Sequence, residues 1–145
     1  MIRRLLAYPV DTAGGLMYTE YFAVPPELTS GETIAQLRRA AREAETIYYI
    51  YVTEPGGKLA GVFSLRELVL SDPKKSVSEF MHKRLVTARL TDSQEEIAQT
   101  VSKYNLLALP VVDDQGRIQG IVTADDALDK IIPTAWKRKL PRLYH

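Results

Sequence analysis

Leu106 to Asp129, LLALPVVDDQGRIQGIVTADDALD, is the stretch on which the fold turns. Two short apolar runs, Ala108–Val112 and Ile118–Val122, flank the polar turn Asp113-Asp-Gln-Gly116, the pattern of a β-hairpin. Thr123-x-x-Asp126 then stands where the second run passes into a helical pattern that Pro133 stops. Residues Ile47 to Leu70 read the same way. Ile47–Thr53 and Lys58–Phe63 surround the turn Glu54-Pro-Gly-Gly57, and Ser64-x-x-Glu67 opens a helix.

Working outward, the repeat extends to what precedes each hairpin. Phe22–Val24 and Leu85–Ala88 read as short strands. Ser30, with Glu32 in the first turn, caps a helix carrying Ile34, Leu37 and Ala41 on one face and Arg38, Arg39 and Arg42 on the other. Ser93-x-x-Glu96 is a capping box, and Ile97, Val101 and Tyr104 share the face that follows. Matching Ile34-Ala-Gln to Ile97-Ala-Gln gives an offset of 63 at the helix, and matching Gly61 to Gly120 gives 59 at the hairpin. The first copy then carries four extra residues near Arg42–Thr46. Each copy is β-α-β-β-α, too small to bury a core alone. The predicted fold is α/β, two such repeats packed with pseudo-twofold symmetry and two equivalent clefts between them. The expected organisation is a connector over 1–16, with Asp11, Gly14 and Gly15 as turn residues, repeats over 17–80 and 81–132, and a basic tail over 133–145.

Composition limits the function. The chain has 145 residues, 46% hydrophobic, a formal net charge of +1 and no cysteine. Disulfides and thiolate metal sites are excluded, and a cytosolic setting is allowed. No apolar run reaches the roughly 18 residues of a membrane span and no leader-type segment is present, so the chain reads as soluble. Four basic residues in the tail, Lys137, Arg138, Lys139 and Arg142, do not make a docked basic face, which speaks against nucleic acid. With His82 in a linker and His145 at the end, no nucleophile–base set, histidine pair or P-loop is present, which speaks against an enzyme. His82 reads as a solvated linker residue.

The helix starts carry the chemistry. A carboxylate three residues into a helix can accept two hydrogen bonds from a ribose diol, while a hydroxyl and free amides meet phosphate. Thr123 with Asp126, and Ser64 with Glu67, fit that reading; both also fit simple helix caps. Tyr49 and Tyr51 share one strand face and Tyr48 takes the other, so a tyrosine is available to stack on a purine or to fill the core. Asp125, Asp126 and Asp129 form a carboxylate cluster that suits either a weak Mg²⁺ site or a solvated acidic helix start.

These residues resemble a tandem pair of CBS domains, a Bateman module. The stretches YPVDTAGGLM (8–17), ETIYYIYV (45–52), GVFSLREL (61–68), DSQEEIA (92–98) and LPVVDDQGRIQGIVTADDALD (109–129) are similar to the CBS region of MgtE-type magnesium transporters. The resemblance covers roughly residues 5 to 131. It implies a cytoplasmic regulatory module, at the inner face of the membrane where a transmembrane transport domain is attached, that dimerises through its CBS repeats. The ligands it implies are ATP, ADP or AMP, and Mg²⁺. By position, the nucleotide contacts in one cleft would be Tyr49, Arg66, Glu67 and Leu106, with Ser64 and Pro110 completing the set; Thr123 and Asp126 would serve the mirrored cleft. Glu67 stands where the family has Asp, and Leu106 where it has a stacking aromatic. The family continues its last helix with glutamates, whereas Ile132–Lys139 here is proline-broken and basic. A structural dimerisation module with vestigial clefts is the alternative. Motif chemistry favours the cleft of Thr123 and Asp126, and the family positions favour the other.

Overall fold

A computed structural model describes residues 8–40 and 47–128. The elements run α1 (Ala13–Leu16), β1 (Ala23–Val24), α2 (Ser30–Ala40), β2 (Tyr49–Thr53), β3 (Leu59–Ser64), α3 (Leu65–Leu70), a 3-10 turn (Val77–Glu79), β4 (Ala88–Arg89), α4 (Gln94–Tyr104), β5 (Ala108–Val112), β6 (Ile118–Thr123) and α5 (Ala124–Leu128). They form two three-stranded sheets of identical topology, β1-β2-β3 and β4-β5-β6. In each, the short strand pairs parallel to the hairpin's first strand, and the hairpin is antiparallel. Both predicted hairpins are present, and the fold is the expected mixed α/β.

Alternation along the strands divides the core. Ile50, Val52 and Phe63 face α2, α3 and the 3-10 turn, packing with Val24, Leu68 and Val77. Leu109, Val111 and Val122 face the second repeat's helices, with Ile97, Val101 and Ala127. The opposite sheet faces meet in a third cluster around Tyr51, Leu59 and Ile118. Between the hairpin ends the backbone itself is shared: Leu59 N–H donates to Gly116 O and Ile118 N–H to Gly57 O, both at 3.0 Å. Gly57 (φ 93°) and Gly116 (φ 78°) take the left-handed conformation these turns require.

The leader of each repeat packs on the other. Ala13, Leu16 and Met17 lie in the second repeat's core, while Val77 and Met81 lie in the first's. Ala13 N–H donates to Asp92 O, and at the equivalent place Val77 N–H donates to Leu28 O. Gln94 to Asp11 and Ser30 to Lys75 form a second matched pair.

Those matched bonds correct the sequence alignment. The helical offset is 64 residues, not 63, so the extra segment of the first repeat is five residues long. The cap shifts with it. Thr29, not Ser30, caps α2: its hydroxyl accepts from Glu32 N–H at 3.1 Å, and Glu32 accepts from Thr29 N–H at 3.0 Å. Ser30 is buried, its N–H engaged by Lys75 O. Identical Ile-Ala-Gln triplets outweighed the capping residues in the sequence comparison. Gly14 and Gly15 are not turn residues but the buried centre of α1. A Cβ at Gly14 would stand 2.5 Å from the Tyr8 ring, and one at Gly15 2.1 Å from Pro9 O. Tyr104 is half-exposed beside Lys103 rather than part of the buried face of α4. Ala41 and Arg42 lie outside the described residues.

Gly61 and Gly120 occupy equivalent places and hold the crossed leaders close. A Cβ at Gly61 would meet Met81 Sδ at 2.5 Å; one at Gly120 would meet Tyr18 O at 2.5 Å and Met17 Sδ at 2.8 Å. A methionine side chain can swing aside, but a paired backbone carbonyl cannot. We expect Gly120→Ala to destabilise the chain by about 1–3 kcal/mol and Gly61→Ala by clearly less in urea unfolding. Equal losses would contradict this packing.

Candidate functional site

Between the sheets lies a cavity of about 290 Å³. Its walls are the β2 side chains Tyr49 and Tyr51, Val62 from β3, Leu85 and Val86 from the linker, and Leu106, Ala108 and Pro110 around β5. Its polar groups gather on one side: Ser64, Glu67, His82 and Arg84. An apolar pocket of this size with a few convergent polar groups is the form of a small-molecule site.

Each polar group is placed by local structure. Ser64 ends β3 and caps α3. Its hydroxyl accepts from Glu67 N–H at 3.1 Å, and Glu67 Oε1 accepts from Ser64 N–H at 2.9 Å, a complete capping box. Glutamate, one methylene longer than aspartate, has the reach for this return bond. The other carboxylate oxygen, Oε2, lies 2.5 Å from His82 Nε2. His82 is held there because its backbone pairs with Val62 in both directions, at 2.8 and 3.1 Å. Partial burial raises the Glu67 carboxyl pKa, but hydrogen bonds from Ser64 and His82 together outweigh it, leaving the carboxyl below its ordinary range. Tyr49 Oη accepts from Leu107 N–H at 3.1 Å, tying the two repeats together across the cavity.

Of the residues singled out in the sequence, Tyr49, Ser64, Glu67, Leu106 and Pro110 line this cavity. Arg66 does not; it is exposed on α3. Thr123 and Asp126 stand at the mirror position, at the start of α5, with Asp126 N–H 3.5 Å from Thr123 Oγ1. A space of about 10 Å³ lies between the sheets on that side, and neither Thr123 nor Asp126 lines it. Tyr21, Phe22, Ile47, Tyr48 and Tyr49 close it. At the equivalent positions the second repeat has Leu85, Val86, Leu106, Leu107 and Ala108, all but Leu107 lining the open cavity. The first repeat places aromatic side chains where the second has smaller ones, and Tyr49 and Tyr51 also wall the open cavity.

His82 and Arg84 were not among the sequence candidates; His82 is exposed, as expected of a solvated linker residue, and is also paired with Glu67 at the cavity. The 64-residue offset was the available signal: it sets His82 opposite Tyr18, and both pair with the matching hairpin strand. Asp125 and Asp126 lie in the first turn of α5, and Asp129 lies outside the described residues. Among the described residues no group of three His, Asp or Glu side chains is placed to hold a metal ion, and no helix is long and apolar enough to cross a membrane.

A family profile for the CBS domain matches residues 77–133, the second repeat, and the first repeat has the same topology and register. The chain belongs to the CBS-domain family and is a tandem CBS pair. It is similar to the cytosolic CBS region of MgtE magnesium transporters. The magnesium transporter MgtE of Thermus thermophilus is 49% identical over 128 residues, which cover 88% of this chain and 28% of that protein. A crystal structure of the cytosolic domain of the Mg²⁺ channel MgtE in complex with ATP aligns with a TM-score of 0.83 at 50% identity, covering 86% of this chain and 50% of that one. The soluble part of a magnesium transporter aligns with a TM-score of 0.84 at 38% identity, covering 87% and 49%. The chain thus spans under a third of the curated full-length relative and about half of these solved chains.

Tyr51 Oη is buried beside the cavity with no hydrogen-bond partner, and burial raises its pKa. Tyr51→Phe removes an unsatisfied hydroxyl, and we expect a gain of about 1 kcal/mol in denaturant unfolding; a loss would show that the hydroxyl has a partner. Because the Glu67 pKa is lowered in the folded chain, its contribution is complete above the ordinary value of 4.5 and is lost as pH falls through the folded value. The side chain is 38% exposed, so the effect stays below about 1 kcal/mol. Melting curves taken between neutral and acid pH should lose this acid limb in Glu67→Gln, and an unchanged limb would remove Glu67 from it.

Proposed function

We propose that the chain is a regulatory CBS pair that binds an adenine nucleotide in the open cavity and controls a magnesium-transporting domain attached to it. The observation that carries this is the cavity itself: preformed, apolar-walled, polar at one side and built from both repeats. The walls suit a purine, with Tyr49, Leu106 and Pro110 against its faces, and Arg84 can meet a phosphate. The ATP complex of the 50%-identical cytosolic domain supports the ligand class. Similarity to MgtE supports the output and a position at the cytoplasmic face.

Regulation follows from where the ligand would sit. A molecule touching β2, β3 and β5 at once binds one relative placement of the two sheets better than others. It shifts the equilibrium by that difference in affinity. Dimerisation would transmit the shift. Exposed Leu65, Val69 and Leu70 on α3, the helix that carries Glu67, provide an apolar face for a second copy. His82 and Glu67 form a pair, but the Ser64 hydroxyl beside them is a helix cap and not a nucleophile, so hydrolysis is not part of the proposal.

A dimerisation module with vestigial clefts is the second reading, and Leu106 at the stacking position and a Glu67 carboxylate already engaged by Ser64 and His82 favour it. Thermal shift separates the two. ATP, ADP or AMP at about a hundredfold excess over Kd should add about 2.7 kcal/mol of stability. Tyr49→Ala or Leu106→Asp should abolish the shift, and Asp126→Ala should leave it intact. A flat response to all three nucleotides, with and without Mg²⁺, would leave the structural module as the function. Loss of the response in Asp126→Ala alone would move the site to the other cleft.

A further inference from the structure

Glu67 is the carboxylate of the open cavity, and both of its oxygens are engaged. Oε1 closes the capping box on Ser64 N–H, and Oε2 meets His82 Nε2 at 2.5 Å. A ribose cis-diol is recognised by a carboxylate that accepts both hydroxyls in a bidentate contact. That face of Glu67 is occupied here by an imidazole from the chain itself. The pseudo-twofold mate offers an internal comparison. Tyr18 pairs with β6 as His82 pairs with β3, with hydrogen bonds at 2.8 and 2.9 Å. The helix position equivalent to Glu67 is Asp126. The His–Glu pair is therefore peculiar to the cavity that is open.

We propose that His82 sets the ligand specificity of this cavity by withholding the Glu67 carboxylate from a ribose diol. Recognition then rests on the apolar walls and on Arg84, and the site accepts adenine ligands with or without the 2′- and 3′-hydroxyls. The proposal rests on the adenine-nucleotide reading above. The side chain of His82 can be removed without removing its structural role, because the linker is anchored to β3 through the His82 backbone. Both partners are partly exposed, at 59% for His82 and 38% for Glu67, so the lock is a weak one that a variant can undo.

The test is calorimetric titration of the whole chain and of His82→Ala with adenosine and with 2′,3′-dideoxyadenosine. The wild-type chain should bind the two within about twofold. His82→Ala should bind adenosine about three- to fivefold more tightly with dideoxyadenosine unchanged, the size of an exposed charge-assisted contact. The gain should vanish in His82→Ala/Glu67→Gln. Weaker binding of both ligands by His82→Ala would overturn the proposal, making the histidine a direct contact. So would strong diol discrimination in the wild-type chain. Binding of neither nucleoside by either protein would overturn this inference, and the thermal shift with ATP, ADP and AMP then decides the nucleotide reading separately. A melting curve of His82→Ala matching the wild-type chain confirms that the fold is intact.

Discussion

Two hydrogen bonds between hairpin turns, Leu59 to Gly116 and Ile118 to Gly57, set the frame on which everything else depends. A three-stranded sheet with helices on one face leaves its other face bare. In this chain each bare face is covered by its twin, and the turn-to-turn bonds fix how the twins meet. Tyr51, Leu59 and Ile118 fill the contact next to those bonds. Away from them the sheets part enough to leave clefts. The crossed leaders strengthen the arrangement, since each repeat's core is completed by a segment from ahead of the other. Separating the repeats would open three clusters at once, so the pair is one cooperative body.

Symmetry of backbone with asymmetry of side chains then makes the site. The two clefts are framed by matched strands with matched register. Yet Ile47 and Tyr48 border one space and Leu106 and Pro110 the other, with Tyr49, Tyr51 and Ala108 shared between them. Leu85 and Val86 face Tyr21 and Phe22 in the same comparison. A single duplicated architecture thus carries a cavity of about 290 Å³ on the side of Ser64 and Glu67.

Much of this was legible in the residues. Alternation and turn residues located β2, β3, β5 and β6, because a buried sheet face imposes period two and Gly57 and Gly116 need positive φ. Capping boxes located α3 and α4. Helix-start chemistry favoured the side of Thr123 and Asp126, while the 290 Å³ cavity is lined by Ser64 and Glu67. A motif reports which groups stand at a helix end and says nothing of whether the space before them is filled. His82 was illegible for a different reason. It is on no periodic element, and its pairing with Glu67 follows from a bridge between residues 62 and 82 that exists only once the linker is laid against β3.

The same linker gives the cavity its mechanical meaning. Val77 and Met81 belong to the first repeat's core, Leu85 and Val86 to the cavity wall, and Ala88 to the second repeat's sheet. One short segment therefore passes from one core, along the site, into the other. A ligand pressing on Leu85 and Val86 acts on a strand end that is fixed to β5 by the Ala88–Val111 pairing. A ligand meeting Glu67 acts on α3, whose outer face carries the exposed Leu65, Val69 and Leu70. Packed cores transmit such displacements because they yield little. Occupancy of the cavity would consequently be felt both at the junction of the repeats and at the apolar surface of α3.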